Sequence, residues 1–216
     1  MFSMRYFINL ADSNTDESDS VESTRLETNI NLEIGAFANE HEQLAQQFRI
    51  TDQATVAAVR HYTHESTINS ELIRVGGNPM SMPKDFREEY AKLISLQGTP
   101  LAEEHHTYSG TGTFNPMDVT VNGMFHTPAF LSTSLSLRVA VKTTNHRRDQ
   151  AEAQEDHVLH FVLPAGFMDG FYVAPYSSDP EELEYLIFPN VPFRHLNTKV
   201  LSLGGVKRHV HSFTPR

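Results

Sequence analysis

The chain has 216 residues, of which 39% are hydrophobic and 20% charged, and this size and composition predict one globular domain with a substantial core. Its formal net charge of −10 argues against nucleic acid as a partner, because such binding is driven by lysine and arginine side chains that displace counterions from phosphates. It has no cysteine and no apolar run long enough to span a bilayer, which excludes disulfides and thiolate chemistry and predicts a soluble, cytoplasmic protein with no membrane partner.

The first 30 residues combine a short apolar segment with an acidic one. Residues 5–10 fit a short strand, and the N-terminus lacks the sections of a secretory signal, so export is not expected. Residues 11–28 are rich in aspartate, glutamate, serine and threonine, with Arg25 as the one basic residue. This composition predicts a mobile, solvated segment within a single domain that covers residues 1–216.

Residues 36–96 have the apolar spacing of α-helices. Asp52 fits the N-cap of one helix, and Ser66 fits the cap of a second. A third has Pro83 at its start, an apolar face along its length and Gly98 beyond its end. The first half of the chain is therefore predicted to be helical.

Beyond residue 100 the spacing of apolar residues becomes alternating, and turn residues become frequent. Helices followed by strands, without regular alternation of the two, indicate an α+β fold with an N-terminal helical part packed on a β core. The predicted strands are residues 107–108, 129–132, 158–163, 171–173, 184–188, 199–203 and 209–213.

Twelve histidines raise the question of a metal site. None belongs to a His-Glu-x-x-His motif, and none has a cysteine or carboxylate companion at a diagnostic spacing. We therefore predict no metal and expect surface or hydrogen-bonded histidines, with a metal-dependent hydrolase as a remote alternative. The close pairs are His61 with His64, His157 with His160, and His209 with His211.

Four short segments occur in an order and spacing that one enzyme family shares. They are YTHESTINSELIR at residues 62–74, TYSGTG at 107–112, FLSTS at 130–134 and ELEYLIFP at 182–189. Each alone is a common pattern of strands or turns. Together they resemble the R-S-E class of mono-ADP-ribosyltransferases, which includes clostridial toxins and the Alt-type enzymes of T-even bacteriophages, and the phage enzymes are the most similar.

The resemblance implies a two-sheet β core and a specific reaction. The chain would transfer ADP-ribose from NAD, its substrate, to an arginine side chain of an acceptor protein and release nicotinamide, without a metal. If the chain is phage-encoded, a host protein in the host cytoplasm is the expected target. Two alternatives stay open: a NAD glycohydrolase, in which water is the acceptor, and a catalytically silent binding module.

Two glutamates carry the expected chemistry. On a strand Glu182 and Glu184 would point into one cleft while Leu183 and Tyr185 point to the other face, and each carboxylate would raise the proton affinity of the other. The resemblance implies that Glu184 holds the ribose and stabilises its cation, and that Glu182 positions or deprotonates an arginine acceptor. It also implies that the Ser132 hydroxyl orients Glu184.

The resemblance also predicts the residues that contact NAD and the acceptor. Gly110 would let the backbone approach the nicotinamide amide. Ser109 stands where the family has its defining arginine, and serine lacks the charge and planar fork that bind phosphate well. Arg74, or Arg147 or Arg148, would then have to supply the missing charge. The predicted NAD contacts are Tyr62, Asn69, Arg74, Ser109, Gly110, Phe130, Thr133, Ser134 and Arg147, with Tyr176 as the acceptor contact.

Overall fold

The computed structural model describes residues 24–64, 66–112, 116–142, 156–203 and 205–216. In these ranges most helices precede the strands, so the predicted α+β class is confirmed. None of the described helices is long and apolar enough to cross a membrane. The helices are α1 Ala38–Gln47, α2 Gln53–His64, α3 Ile68–Arg74 and α4 Lys84–Ile94, with shorter helical segments at residues 24–29 and 137–142.

The predicted cap residues begin the helices as expected. The Asp52 carboxylate accepts hydrogen bonds from the backbone N–H groups of Ala54 and Thr55, at 3.4 and 2.8 Å, in the first turn of α2. Ser66 Oγ accepts from the backbone N–H of Ile68, at 3.1 Å, where α3 begins. Local side-chain chemistry therefore sets these starts.

Eight strands in the described residues form one hydrogen-bonded sheet in the order β2-β7-β8-β4-β1-β3-β6-β5. The β4–β8 pair is parallel, and the other pairs are antiparallel. The expected two-sheet core corresponds to two parts of this sheet, joined between β1 and β3 at the register pair Tyr108 with Ser134. The strands are β1 His105–Gly112, β2 Met124–Phe125, β3 Leu131–Ser134, β4 Asp156–Leu163, β5 Gly170–Tyr172, β6 Glu184–Ile187, β7 Phe193–Leu203 and β8 Val206–Pro215.

Several strands depart from the prediction: β1 and β8 are longer at both ends, β3 lies two residues later, and β2 and β7 depart in other ways. The short β2, which was not predicted, follows a turn in which Asn122 and Gly123 both have positive φ, as a tight hairpin requires. β7 begins six residues earlier than predicted, at Phe193 instead of Lys199. Every second residue of β7 is exposed, and the alternation of apolar residues in its first part is weak. Pairing with β8 over the whole length of β7 therefore extends the strand beyond what the sequence pattern predicted.

Apolar side chains cover both faces of the sheet. The larger core, between the helices and one face, includes Val59, Ile68 and Phe161. The smaller core, on the other face, includes Leu26 and Tyr108.

The helical segment at residues 24–29 contributes to the smaller core. Leu26 is fully buried there, and Ile30, four residues later, packs against the same cluster. Residues 24–28 are therefore helical and packed, which corrects the last part of the mobile segment predicted at residues 11–28. The prediction rested on the average composition of an acidic stretch, and such an average does not reveal a single apolar helix face. Residues 11–23 and the strand predicted at residues 5–10 lie outside the described residues.

Candidate active site

An inner cavity lies where β1, β3 and β6, which are neighbours in the sheet, meet the helical segment 137–142. It brings together seven of the residues predicted from sequence: Ser109 and Gly110, the Ser-Thr-Ser residues 132–134, and the glutamates 182 and 184. Its lining residues are Tyr108, Ser109, Gly110, Ser132, Thr133, Ser134, Val139, Ala140, Glu182 and Glu184.

Glu184 is the buried acid of this cavity. Its side chain is 4% exposed, and Ser132 Oγ donates a hydrogen bond to its Oε1 at 2.5 Å. Burial raises the pKa of Glu184 to about 7, the hydrogen bond from Ser132 opposes this shift, and the neighbouring charge of Glu182 adds to it. The serine contact predicted from sequence is therefore present. Burial, more than the second glutamate, sets the proton affinity.

Glu182 reaches the cavity by a route that the sequence did not predict. It ends a 3-10 turn, Pro180–Glu182, and β6 begins only at Glu184. Leu183 between them has left-handed backbone angles, φ 49° and ψ 45°, so strand alternation does not direct the two carboxylates. Glu182 and Glu184 both line the cavity, as predicted. The predicted reason, that they lie on the same strand, is wrong.

The environment of Glu182 also shifts its protonation. Burial raises the pKa of Glu182, the charge of Asp179 raises it further, and Lys142 lowers it. Glu182 is exposed and in contact with solvent, whereas Glu184 is buried.

The three hydroxyls of residues 132–134 hold the segment that carries the glutamates. Ser132 binds the Glu184 side chain, Thr133 Oγ1 donates to the carbonyl of Tyr185 at 2.7 Å, and Ser134 Oγ donates to the carbonyl of Glu182 at 2.6 Å. Thr133 and Ser134, predicted as NAD contacts, thus use their hydroxyls within the protein. The structure gives them a positioning task at the cavity wall.

A second group of predicted residues, Tyr62, Asn69 and Phe130, is joined by mutual contacts. Asn69 Nδ2 donates to the Tyr62 hydroxyl at 3.2 Å, and Asn69 Oδ1 accepts from the backbone N–H of Phe130 at 3.0 Å. The rings of Tyr62 and Phe130 meet edge to face with centroids 5.7 Å apart. Burial raises the pKa of Tyr62, and the charge of Glu184 raises it further.

Of the cations predicted to replace the missing arginine, the structure describes Arg74, which is not among the described lining residues of the cavity. The Arg74 side chain is 59% exposed and forms an ion pair with Glu71 on its own helix at 2.7 Å, the arrangement of a surface helix-end cation. Arg147 and Arg148 lie outside the described residues. Ser109 lines the cavity without bringing a charge.

An outer cavity adjoins the inner one. Val139 and Glu182 line both, so Glu182 stands at the boundary. Its described lining has four carboxylic residues and two cations, so the charge of this lining favours a cationic group and disfavours an anion such as pyrophosphate. The outer cavity is larger, about 590 Å³ against about 80 Å³. Its described lining residues are Glu33, Ile34, Arg138, Val139, Lys142, Asp179, Glu181 and Glu182.

Sequence reasoning missed Arg138 and Lys142. They lie four residues apart in the helical segment directly after the Ser-Thr-Ser strand, which places them on one helical face. That spacing could have indicated a pair, but the sequence did not show that Glu33 and Asp179 would face it. The site therefore includes residues far apart in the chain.

Tyr176 is placed elsewhere. Its hydroxyl accepts a hydrogen bond from the backbone N–H of Ile50 at 2.6 Å, and its ring packs against the larger core. The hydroxyl thus supports the connection between α1 and α2, and Tyr176 is absent from the described lining of both cavities. This placement does not match the acceptor contact predicted from the resemblance.

The paired histidines in the sheet are hydrogen-bonded. His157 Nδ1 lies 2.9 Å from His211 Nε2, and His160 Nδ1 lies 3.0 Å from Ser212 Oγ. In the described part of the chain no three histidine, aspartate or glutamate side chains are grouped to hold a metal ion.

No protein-family model matches the chain, and a comparison with curated proteins gives no match. Solved structures do match. Plx2a, an ADP-ribosyltransferase toxin from Paenibacillus larvae, aligns with a TM-score of 0.68 at 17% identity over 85% of this chain and 96% of its own. C3stau2 from S. aureus, solved with NAD, aligns with a TM-score of 0.63 at 14% identity over 91% and 95%.

A third similar structure is the ADP-ribosyltransferase Vis in complex with agmatine, with a TM-score of 0.61 at 17% identity over 85% of this chain and 84% of its own. Vis is a toxin from Vibrio splendidus. These likenesses show that the chain has the ADP-ribosyltransferase fold. All three proteins come from bacteria, and the resemblance to phage enzymes stays a prediction.

Proposed function

We propose that the chain is a NAD-dependent mono-ADP-ribosyltransferase that modifies arginine side chains of a target protein. One observation carries the proposal: a buried glutamate, Glu184, is hydrogen-bonded to Ser132 in a cavity that it shares with Glu182. This arrangement occurs on the fold of the ADP-ribosyltransferases. The contacts of Glu184 and the fold likeness therefore support the same reaction.

Glu184 suits cleavage of the bond between ribose and nicotinamide. That cleavage develops positive charge on the ribose, as in glycoside hydrolysis. A carboxylate that is 4% exposed stabilises such charge strongly, because little water screens it. Ser132 fixes the carboxylate, so its orientation costs nothing during the reaction.

The inner cavity fits one end of NAD. Its volume of about 80 Å³ is below the several hundred Å³ of sites that enclose a whole ligand, so the cavity would enclose only the nicotinamide end. Gly110 in its wall has no side chain to block hydrogen bonds between the ligand amide and the backbone. The rest of the dinucleotide would lie outside this cavity.

Glu182 suits the activation of the acceptor. It stands between the inner cavity and the acidic outer cavity, where a cationic guanidinium group would be held beside the ribose. The raised pKa of Glu182 strengthens it as a base for the proton that the guanidinium loses as the new bond forms. We therefore assign the outer cavity to the acceptor.

The protonation of Glu184 makes the reaction depend on pH. Only the carboxylate stabilises the ribose cation, so kcat/KM should rise with pH along a limb centred near the pKa of about 7. Ser132→Ala removes the hydrogen bond that lowers this pKa, so the limb should move to higher pH and the rate at neutral pH should fall about tenfold. A profile of kcat/KM against pH for both proteins tests this, and an unshifted limb in the variant would contradict the assigned contact.

A test of the proposed function uses labelled NAD with two acceptors. Agmatine supplies a free guanidinium group, and a bacterial lysate supplies proteins, which the resemblance to phage enzymes makes the proposed targets. We expect labelled agmatine and labelled protein with ADP-ribose mapped to arginine by mass spectrometry. Free ADP-ribose alone would identify a NAD glycohydrolase, and no turnover at all would identify a silent binding module.

A further inference from the structure

The outer cavity already contains an arginine. Arg138 lines it together with Glu182, and it is the one arginine in the described lining. Arg138 directly precedes Val139, which lines both cavities, so the Arg138 backbone lies close to the boundary at which transfer is proposed.

The Arg138 guanidinium is held weakly. Its Nη1 lies 2.7 Å from Glu33 Oε1, but the two side chains are 53% and 81% exposed. Exposed ion pairs of this kind contribute little, because solvent screens them and both side chains lose freedom. The guanidinium can therefore leave Glu33 for the other carboxylates of the cavity at small cost.

From this arrangement we infer that Arg138 is a self-modification site: with NAD present and no target protein, the chain attaches ADP-ribose to its own Arg138. The inference rests on the proposed function. It follows from the same charge pattern that would attract an external guanidinium, because a cation tethered in the cavity has a high effective concentration there.

The step balances without a further reactant. The bond between ribose C1′ and the nicotinamide nitrogen breaks, and its electron pair leaves with neutral nicotinamide. A new bond forms between C1′ and a guanidinium nitrogen of Arg138. The proton that this nitrogen loses passes to the Glu182 carboxylate.

Modification of Arg138 would limit the enzyme's own activity. The attached group carries two negative charges into a cavity whose described lining already has more carboxylates than cations. It would also fill the space in which an external arginine has to bind. The modified chain should therefore transfer ADP-ribose to external acceptors more slowly.

The experiment compares the unaltered chain with Arg138→Lys, which keeps the charge and the ion pair but removes the guanidinium. Arg87→Lys is the matched control, because Arg87 is exposed on α4 and lines neither cavity. After incubation with labelled NAD, peptide mapping should locate ADP-ribose on Arg138 in the unaltered chain and in Arg87→Lys. Self-label is divided by the agmatine labelling of the same protein, so that any effect of the substitution on the acceptor cavity cancels, and on this scale Arg138→Lys should lose at least nine-tenths of the self-label.

Two further measurements test the site and its consequence. Labelling within one molecule predicts that the fraction labelled per unit time does not change over a tenfold range of protein concentration. Prior incubation with NAD should slow agmatine labelling severalfold in the unaltered chain and leave it unslowed in Arg138→Lys.

Agmatine labelling without any label on Arg138, or self-labelling whose rate per molecule rises with protein concentration, would overturn this inference and leave the proposed function standing. Absence of label from agmatine, lysate proteins and Arg138 together would overturn both.

Discussion

Glu184→Gln is expected to reduce both ADP-ribose transfer and NAD hydrolysis by about a thousandfold, the scale for losing a key electrostatic group in a buried site. Glutamine keeps the shape of the side chain and an oxygen that can accept the hydrogen bond of Ser132. It removes the charge that faces the ribose cation. Rates of nicotinamide release, with and without agmatine, measure both activities, and full activity in the variant would refute the proposed mechanism.

The same substitution should stabilise the fold at neutral and alkaline pH. The pKa of Glu184 is about 7 in the folded chain and 4.5 for an unperturbed side chain, so folding favours the protonated acid. The stability of the native chain should therefore fall as pH rises from about 4.5 to 7, and the loss should level off above that range. Ionising the buried acid costs on the order of 3 kcal/mol in the free energy of unfolding, and glutamine avoids this cost.

Urea unfolding at two pH values tests this expectation. Near pH 8 we expect Glu184→Gln to be more stable than the unaltered chain by up to about 3 kcal/mol, and near pH 4.5 we expect the difference to vanish. A variant that is inactive because it is misfolded would show the opposite, a loss of stability at both pH values. Together with the rate measurement, this separates a role in the reaction from a role in the fold.

The sequence predicted those parts of the fold that depend on neighbouring residues. Asp52 caps α2 within three residues of itself, and Ser66 Oγ binds the first residue of α3. The inner cavity was also predictable in part, because Ser132 and Glu184 lie in two short motifs on adjacent strands. Motifs of this kind can predict such a contact even when overall identity is low.

The path of the chain between the two glutamates was not predictable. Leucine is disfavoured in the left-handed region that Leu183 occupies, since its Cβ crowds the backbone there. Hydrogen bonds from elsewhere in the chain hold this conformation: Ser134 donates to the Glu182 carbonyl, and the Leu135 N–H donates to the Leu183 carbonyl. Alternation along a strand cannot anticipate such bonds.

The outer cavity could not be predicted for a related reason. Glu33, Arg138 and Asp179 form it from three separate regions of the chain, and each reads as an ordinary surface charge in sequence. Only the folded chain shows that Arg138 and Glu182 face the same space. The proposed acceptor site therefore depends on tertiary structure, whereas the proposed role of Glu184 was already predicted from sequence motifs.

Glu182→Gln is expected to separate the two activities. Transfer to agmatine should fall about a hundredfold, the contribution of a positioned general base. NAD hydrolysis should continue at a rate within about threefold of the original, because water needs less activation and positioning than a guanidinium group. Glu182 touches the boundary of the two cavities, whereas Glu184 lies in the inner one, and this placement is the physical reason for the split.

A shift in pH dependence makes the Glu182→Gln test sharper. The charge of Glu182 raises the pKa of Glu184, so its removal should lower that pKa and move the acid limb of NAD hydrolysis to lower pH. Glu181→Gln is the matched control, because Glu181 lines the outer cavity without lining the inner one and should leave the limb in place. Hydrolysis profiles for the three proteins measure the shift. Equal loss of transfer and hydrolysis in Glu182→Gln would show that the second glutamate also acts on the ribose, and an unshifted limb would place its charge too far from Glu184 to matter.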